Sequence, residues 1–430
     1  MTVRSVLVAG AGARQHALCW KLATEPGVER IIAAPGNPLM TDVADVRPHV
    51  SADDLDAVVA LALAECVDLV VVGPEDPLVA GLADRLAAAG VPCFGPMAAA
   101  ARLEGSKAFA REVCDAAGVA MARGRAFEDA ASAIAFAEAL GGRVVVKADG
   151  LALGKGVQMC DDAHAAQAAI HDALVDGRFG DAGRRVVVEE WLDGSEASVI
   201  ALCDGERYAL LPAARDHKRA FEGDAGPNTG GMGAYSPVDG LDDAALAAIG
   251  ESVVAPVLAE LTRRGTPFRG ALFCGLMLSA QGPRVLEFNV RLGDPETQAI
   301  VPRANVALGE LMLECANGRL LAAGVLPALP DATVALFLAA DGYPEAGRRD
   351  DPITGIEAAR ATGALVLGAG VARGADGRLV TAGGRVLTVV GRGTTIGQAA
   401  DAAYAAAALI DYDGKWYRRD IGRSLAAAAT

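Results

Sequence analysis

Short apolar runs alternate with helical stretches through the first hundred residues, and few folds accept that alternation. Residues 5–10, 30–33, 68–73 and 91–94 read as strands, with helices between them at 15–23, 53–64 and 78–88. Strand–helix–strand units need crossovers, and crossovers favour a parallel sheet covered on both faces. These residues are therefore expected to form one doubly wound α/β domain.

Further along the rhythm changes. Residues 107–117 and 163–174 read as helices, and 144–148, 157–160, 186–191 and 197–203 as strands. These make a small α+β unit followed by a larger one. A polar, Gly-rich stretch from 216 to 236 reads as a loop, and so long a loop in a compact domain is usually functional. A helix at 243–263, strands at 270–279, 284–290, 333–339 and 385–390, and a helix at 396–410 complete the chain. Its 430 residues suffice for two to four domains. No apolar run is expected to reach the ~18–20 residues of a membrane span. The N-terminus lacks the marks of a signal peptide, so the cytoplasm is the expected compartment. A formal net charge of −15 argues against a nucleic-acid partner, because it repels phosphate backbones. Eight scattered cysteines without a C-x-x-C pair read as buried thiols, not as zinc ligands or disulfides.

Five stretches carry candidate chemistry. Gly10-Ala11-Gly12-Ala13-Arg14-Gln15 follows the first strand as a dinucleotide fingerprint would. It lacks the third glycine, and residues 31–34 lack the carboxylate that holds a ribose. A phosphate at a helix N-terminus fits better than NAD; a tight turn without a ligand is the plain alternative. In the second stretch Lys147 ends a Val run and a Gly-rich turn follows, with Gly154, Lys155 and Gly156. Glycine follows Gly154-Lys155 where a Walker loop has Ser or Thr, so this reads as a hairpin lid over a triphosphate. An ordinary hairpin with solvated lysines is the alternative. In the third, a strand edge delivers Glu189 and Glu190, then Trp191, Leu192 and Glu196. It could offer backbone groups to an adenine and Glu196 to a ribose, though a solvated strand end is the commoner meaning of such a pattern. In the fourth, Arg215-Asp216-His217-Lys218-Arg219 and the glycines after Gly226 suggest an anion site with backbone donors, or else a mobile surface loop. The fifth is Glu287-Phe288-Asn289-Val290-Arg291. Strand alternation sets Glu287, Asn289 and Arg291 on one face. Glutamate and amide oxygens suit Mg²⁺, and Arg291 suits a phosphoryl group or an anionic substrate.

Together these stretches resemble the ATP-grasp superfamily and, within it, the phosphoribosylamine–glycine ligase family. The resemblance is also carried by Arg14 and His16, Ala34-Pro35-Gly36-Asn37, Gly73-Pro74-Glu75, residues 226–237 and 294–298, Gly342-Tyr343-Pro344, and residues 381–387 and 416–422. It implies a multidomain α/β protein: a Rossmann-like parallel sheet at 1–104, α+β ATP-grasp halves at 105–325 with a lid at about 120–190, and a small α/β domain at 326–430. It also implies ATP-dependent joining of glycine to 5-phosphoribosylamine through glycyl phosphate, giving glycinamide ribonucleotide, ADP and phosphate in purine synthesis.

By resemblance, Lys107, Lys147 and Lys155 face the ATP phosphates with Gly154 and Gly156. Glu189, Glu190, Trp191 and Leu192 line the adenine, Glu196 lies near the ribose, and Glu287 and Asn289 hold Mg²⁺ or Mn²⁺. Gly12, Arg14, Asp216, Lys218, Arg219, Asn228, Gly230, Gly231, Arg291, Asp294 and Pro295 surround phosphoribosylamine or glycine. Lys155, Arg291 and Asp294 are the catalytic candidates.

The chain departs from the pattern at several points. Ala13 and Gln15 stand where Gly and Glu are usual, Arg215 where Gln is common, and Leu367-Gly368-Ala369-Gly370 where His-Ala-Gly-Thr is frequent. Ala13 is expected to crowd the first loop, and Gly275-Leu276-Met277 offers no carboxylate to a second metal. A monomer is expected, with transient contact to the preceding pathway enzyme conceivable. The competing readings are an ATP-grasp ligase for another acid or amine, and a non-catalytic nucleotide binder.

Overall fold

The computed structural model describes residues 3–151 and 156–423. Ser5–Gly10 is the central strand of a parallel sheet ordered Asp45–Val46, Arg30–Pro35, Ser5–Gly10, Leu69–Val72, Cys93–Phe94. Val6, Leu7 and Val8 are all fully buried, because side chains on both faces of this sheet enter apolar cores. The helix expected at 78–88 is two helices, Glu75–Val79 and Leu82–Ala88. They part at Gly81, whose φ of +92° leaves the helical region.

Gly124–Phe127, Val186–Glu190, Val144–Ala148 and Val157–Cys160 form a four-stranded antiparallel sheet in that order. Helices Ala130–Ala139 and Ala163–Leu174 share its core. A backbone bond from Val285 N–H to the Ala120 carbonyl, 2.9 Å, ties its approach to the next sheet. That sheet runs Gly282–Asn289, Arg269–Ser279, Ser195–Asp204, Tyr208–Leu210, Gly324–Val325. Behind it lies Asp243–Arg263, which corrects the expectation about membrane-length runs: by length and composition alone this helix could cross a bilayer. Half of its most apolar window is buried inside the chain, and Leu246, Val253, Val257 and Leu261 pack into the core. Its hydropathy therefore comes from a core-facing stripe.

The last large sheet runs Arg215–Asp216, Gly233–Ser236, Ala332–Ala339, Arg385–Gly393, Leu365–Gly368. The stretch 216–236 is therefore not a structureless loop. Both of its ends are strands of this sheet, and Arg219–Phe221 pairs with Ala225–Asn228 as a hairpin between them. Buried backbone groups must find partners, and Gly233–Ser236 finds them in Ala332–Ala339 from the C-terminal part of the chain. Six of the eight cysteines are buried, Cys93 is half-buried and Cys66 is exposed.

Candidate active site

Glu287, Asn289 and Arg291 share one face of the strand Gly282–Asn289 and its continuation, while Phe288 and Val290 point into the core. The Lys218 ammonium lies 3.1 Å from Glu287 Oε1 and 3.4 Å from Glu196 Oε2. Lys218, with Lys147 and Lys107 behind it, outweighs burial and holds the Glu287 carboxyl down at about 2. An ionised carboxylate and an amide oxygen on one face are hard donors, a fit for a divalent cation that keeps waters and takes substrate phosphates for its other ligands. Among the described residues no cluster of three or more His, Cys, Asp or Glu could hold a metal by itself, so such an ion would depend on those other ligands.

Lys147 is the penultimate residue of the buried strand Val144–Ala148, where an unpaired charge would be costly. It is paired: Nζ lies 2.6 Å from Glu189 Oε2 and donates to the Leu286 carbonyl at 2.8 Å. Glu189 also receives Arg111 Nη2 at 2.7 Å. The Glu189 side chain is thus enclosed by two cations. Its strand is not an edge but lies between two neighbours, so its backbone is spent on the ladder. Only beyond Glu190, at Trp191 and Leu192, does the backbone leave the sheet. Glu190 bonds Arg123 at 2.6 Å, and Arg143 stacks 4.0 Å over the Trp191 ring. Lys107 begins the helix Lys107–Ala117 and donates to the Gly150 carbonyl at 3.2 Å, with burial pulling its pKa down. Gly154 and Lys155 fall outside the described residues; Gly156 is buried.

Arg291 is already engaged: its guanidinium reaches Glu75 at 3.0 Å, Glu104 at 2.9 Å and Asn289 Oδ1 at 3.2 Å. Burial opposes ionisation of Glu75, but Arg291 and Arg14 prevail and set it at about 2. Burial lifts Glu104 to about 7 against the pull of Arg291. Arg14 donates to the Leu292 carbonyl at 2.8 Å, and burial next to Arg291 lowers it to about 10. Two arginines beside two carboxylates form a buried junction between the first domain and the Glu287 strand. Glu75 lies in the Gly73-Pro74-Glu75 run without a role of its own in the sequence, and nothing local marks Glu104 or Arg111.

The first loop corrects the expectation about Ala13. Ala13 is fully buried in the core under helix Ala13–Ala23. Gln15 fills the loop instead: a Cβ at Gly73 would fall 1.8 Å from its Nε2, and one at Gly10 2.8 Å away. A Cβ at Gly12 would likewise stand 2.9 Å from Gln15 Oε1. These glycines make room for a side chain as well as for any ligand.

Asp216 sits where Gly231 and Pro295 meet, with Oδ1 buried and unpartnered. Burial and then Glu296 push its pKa well above the usual carboxylate range. Glu296, not foreseen from sequence, accepts from Ser198 Oγ at 2.8 Å. Arg219 does not join this group: it donates to Gly226 within its own hairpin, opposite Asn228. Two of the backbone donors expected in the Gly-rich segment are taken: Gly231 N–H bonds Thr229 Oγ1 at 3.0 Å and Gly230 N–H bonds the Tyr343 hydroxyl at 3.3 Å.

Three models of the phosphoribosylglycinamide synthetase family match the chain: the N domain over residues 4–104, the ATP-grasp (A) domain over 105–297 and the C domain over 333–424. A phosphoribosylamine–glycine ligase of Caulobacter vibrioides is 47% identical over 97% of both chains. One of Streptomyces coelicolor is 46% identical over 98% of this chain and 100% of its own. The crystal structure of a phosphoribosylamine–glycine ligase from Thermotoga maritima superposes with a TM-score of 0.84 at 32% identity, covering 97% of this chain and 99% of that one. A biotin carboxylase domain of Hydrogenobacter thermophilus 2-oxoglutarate carboxylase, solved with MgADP, gives a TM-score of 0.71 at 17% identity over 97% of this chain and 92% of its own, and shares the fold alone.

Proposed function

The chain belongs to the phosphoribosylglycinamide synthetase family and is an ATP-dependent ligase that joins glycine to phosphoribosylamine in purine biosynthesis; we propose that it does so through glycyl phosphate formed beside the Glu287–Arg291 face. The observation that carries this reading is the cluster of Lys218, Lys147 and Lys107 around one ionised carboxylate. Such a cluster suits a triphosphate and a divalent cation together.

Glu287 and Asn289 would hold Mg²⁺, which neutralises phosphate charge when bound. Lys107 and Lys147 draw the phosphates in, with Lys155 from the lid. The Trp191–Leu192 backbone receives the adenine, and Glu196 the ribose. A glycine carboxylate oxygen attacks the γ-phosphorus and ADP departs. The amine of phosphoribosylamine then attacks the acyl carbon, phosphate leaves, and the amine loses a proton. No side chain becomes a covalent nucleophile; positioning and charge screening carry the rate. Arg14, Gly12, Asp216, Lys218, Asn228, Gly230, Gly231, Arg291, Asp294 and Pro295 form the side that takes glycine and the sugar phosphate. Residues 1–104, 105–325 and 326–430 remain our division of the chain into domains. A cytoplasmic monomer is the accompanying proposal; free thiols at all eight cysteines fit a reducing compartment.

Enzyme, Mg·ATP and glycine incubated with freshly generated phosphoribosylamine should release ADP only when both co-substrates are present. Release independent of glycine would overturn the reading.

A further inference from the structure

Two runs in the C-terminal part, Gly342-Tyr343-Pro344 and Thr381–Arg385, have no role in the chemistry above, yet both converge on one loop. Arg385 begins the strand Arg385–Gly393, with its guanidinium 4.3 Å from the centre of the buried Phe337 ring. Nη1 donates to the carbonyls of Gly230, of Gly231 at 3.2 Å and of Asp294 at 3.3 Å. Nη2 donates to Asp294 Oδ2 at 2.8 Å. Tyr343 grips the same loop by accepting from Gly230 N–H. Asp294 is thereby occupied on both oxygens, since Oδ1 accepts from Gln298 Nε2 at 2.5 Å.

The glycines around the contact are shaped for it. A Cβ at Gly230 would stand 3.1 Å from Arg385 Cζ, and one at Gly384 would stand 2.2 Å from the Tyr343 ring. A planar fork that serves three carbonyls and a carboxylate at once is a task a lysine cannot perform. Neither Tyr343 nor Arg385 bonds Lys107, Lys147, Glu189 or Glu287 among the described contacts.

The geometry points to Arg385 and Tyr343 as positioning residues, a two-point clamp that sets residues 229–231 and Asp294 against Asp216 and Pro295. The clamp acts on the side that takes glycine and phosphoribosylamine and leaves ATP binding alone. It rests on the reading of that loop as the substrate side. It also gives Asp294 the part of a joint in place of a free acid or base.

The test measures kcat and KM for each substrate, and the Kd of Mg·ATP, in Arg385→Ala, Arg385→Lys and Tyr343→Phe. Arg385→Ala should lower kcat/KM for glycine or phosphoribosylamine by about 100-fold, as a displaced positioning group does. Its Kd for Mg·ATP should change by less than about 2-fold. Arg385→Lys should recover only a small part of the loss, and millimolar guanidinium should partly restore Arg385→Ala, which a merely structural defect would not allow. Tyr343→Phe keeps the ring packing and removes one acceptor, so it decides the matter if Arg385→Ala fails to fold; a several-fold rise in KM for glycine or phosphoribosylamine is expected. Unchanged constants for both substrates, or an equal loss of Mg·ATP binding, would overturn the clamp. An active parent enzyme with unaffected variants sinks the clamp alone, whereas a parent without glycine-dependent ADP release sinks the functional reading and the clamp with it.

Discussion

Lys218 Nζ lies 3.1 Å from Glu287 Oε1, although 69 residues separate the two along the chain. The pair joins the substrate-loop region to the proposed metal strand, and its charge balance is open to test. Glu287→Gln removes the one ionised donor of the proposed metal pair. Glycine-dependent ADP release should fall by about 100-fold or more, with saturation moving to higher Mg²⁺. An unaltered Mg²⁺ titration would remove Glu287 from the ligand set.

His16 is buried, and its Nδ1 accepts from Gly368 N–H at 2.9 Å, which requires a lone pair and hence the neutral ring. Burial, helped by Arg360, lowers its pKa from 6.5 to about 4. The unfolded chain binds the proton first as pH falls, so this contribution is complete above about 6.5 and is lost progressively toward 4. It amounts to about 3 kcal/mol at most. His16→Asn, which keeps an acceptor and does not titrate, should flatten the pH dependence of urea unfolding between pH 6.5 and 4. Parallel slopes for parent and variant would contradict this.

Gly231 has φ of +100°, and a Cβ there would stand 2.3 Å from Pro295 Cδ and 2.8 Å from Asp216 Oδ1. The proline ring cannot swing aside as a flexible side chain could. Gly231→Ala should cost about 1–3 kcal/mol of stability and depress turnover further than its fall in Tm explains. A variant as active as the parent would show that the loop has room to spare.

Arg111 Nη2 meets Glu189 Oε1 at 2.7 Å with both side chains buried. Arg111→Met leaves Glu189 with Lys147 alone and should destabilise the fold by about 3 kcal/mol in urea titrations. Gly124→Ala should act at the same point, because its Cβ would fall 2.7 Å from Glu189 Cγ and 2.8 Å from Arg111 Nη2. Stability losses below ~0.5 kcal/mol in both variants would show that the pair is dispensable.

Much was legible locally. The parallel first sheet, three strands of the four-stranded sheet and the sharing of one face by Glu287 and Asn289 follow from apolar runs and a two-residue period, whereas Gly124–Phe127 carries no such run. The apolar length of the helix Asp243–Arg263 is missed in the sequence because its hydropathy lies in a stripe that faces the core and not in one unbroken run. The strand Val186–Glu190 reads as an edge because no local signal reports how many neighbours a strand has.

By itself, then, the sequence determined most of the longer strands and helices, which polar residues gather on the strand at 282–289, and, through its motifs, the family and its reaction. Only the tertiary structure decided that 216–236 is strand and hairpin, that Gln15 occupies the space beside Gly10 and Gly73, that Glu75 and Glu104 flank Arg291, and that Arg385 holds Asp294. The reason is physical. Periodicity and propensity act over a few residues, whereas ion pairs, cross-strand bonds and steric fit depend on segments hundreds of residues apart arriving within about 3 Å of one another.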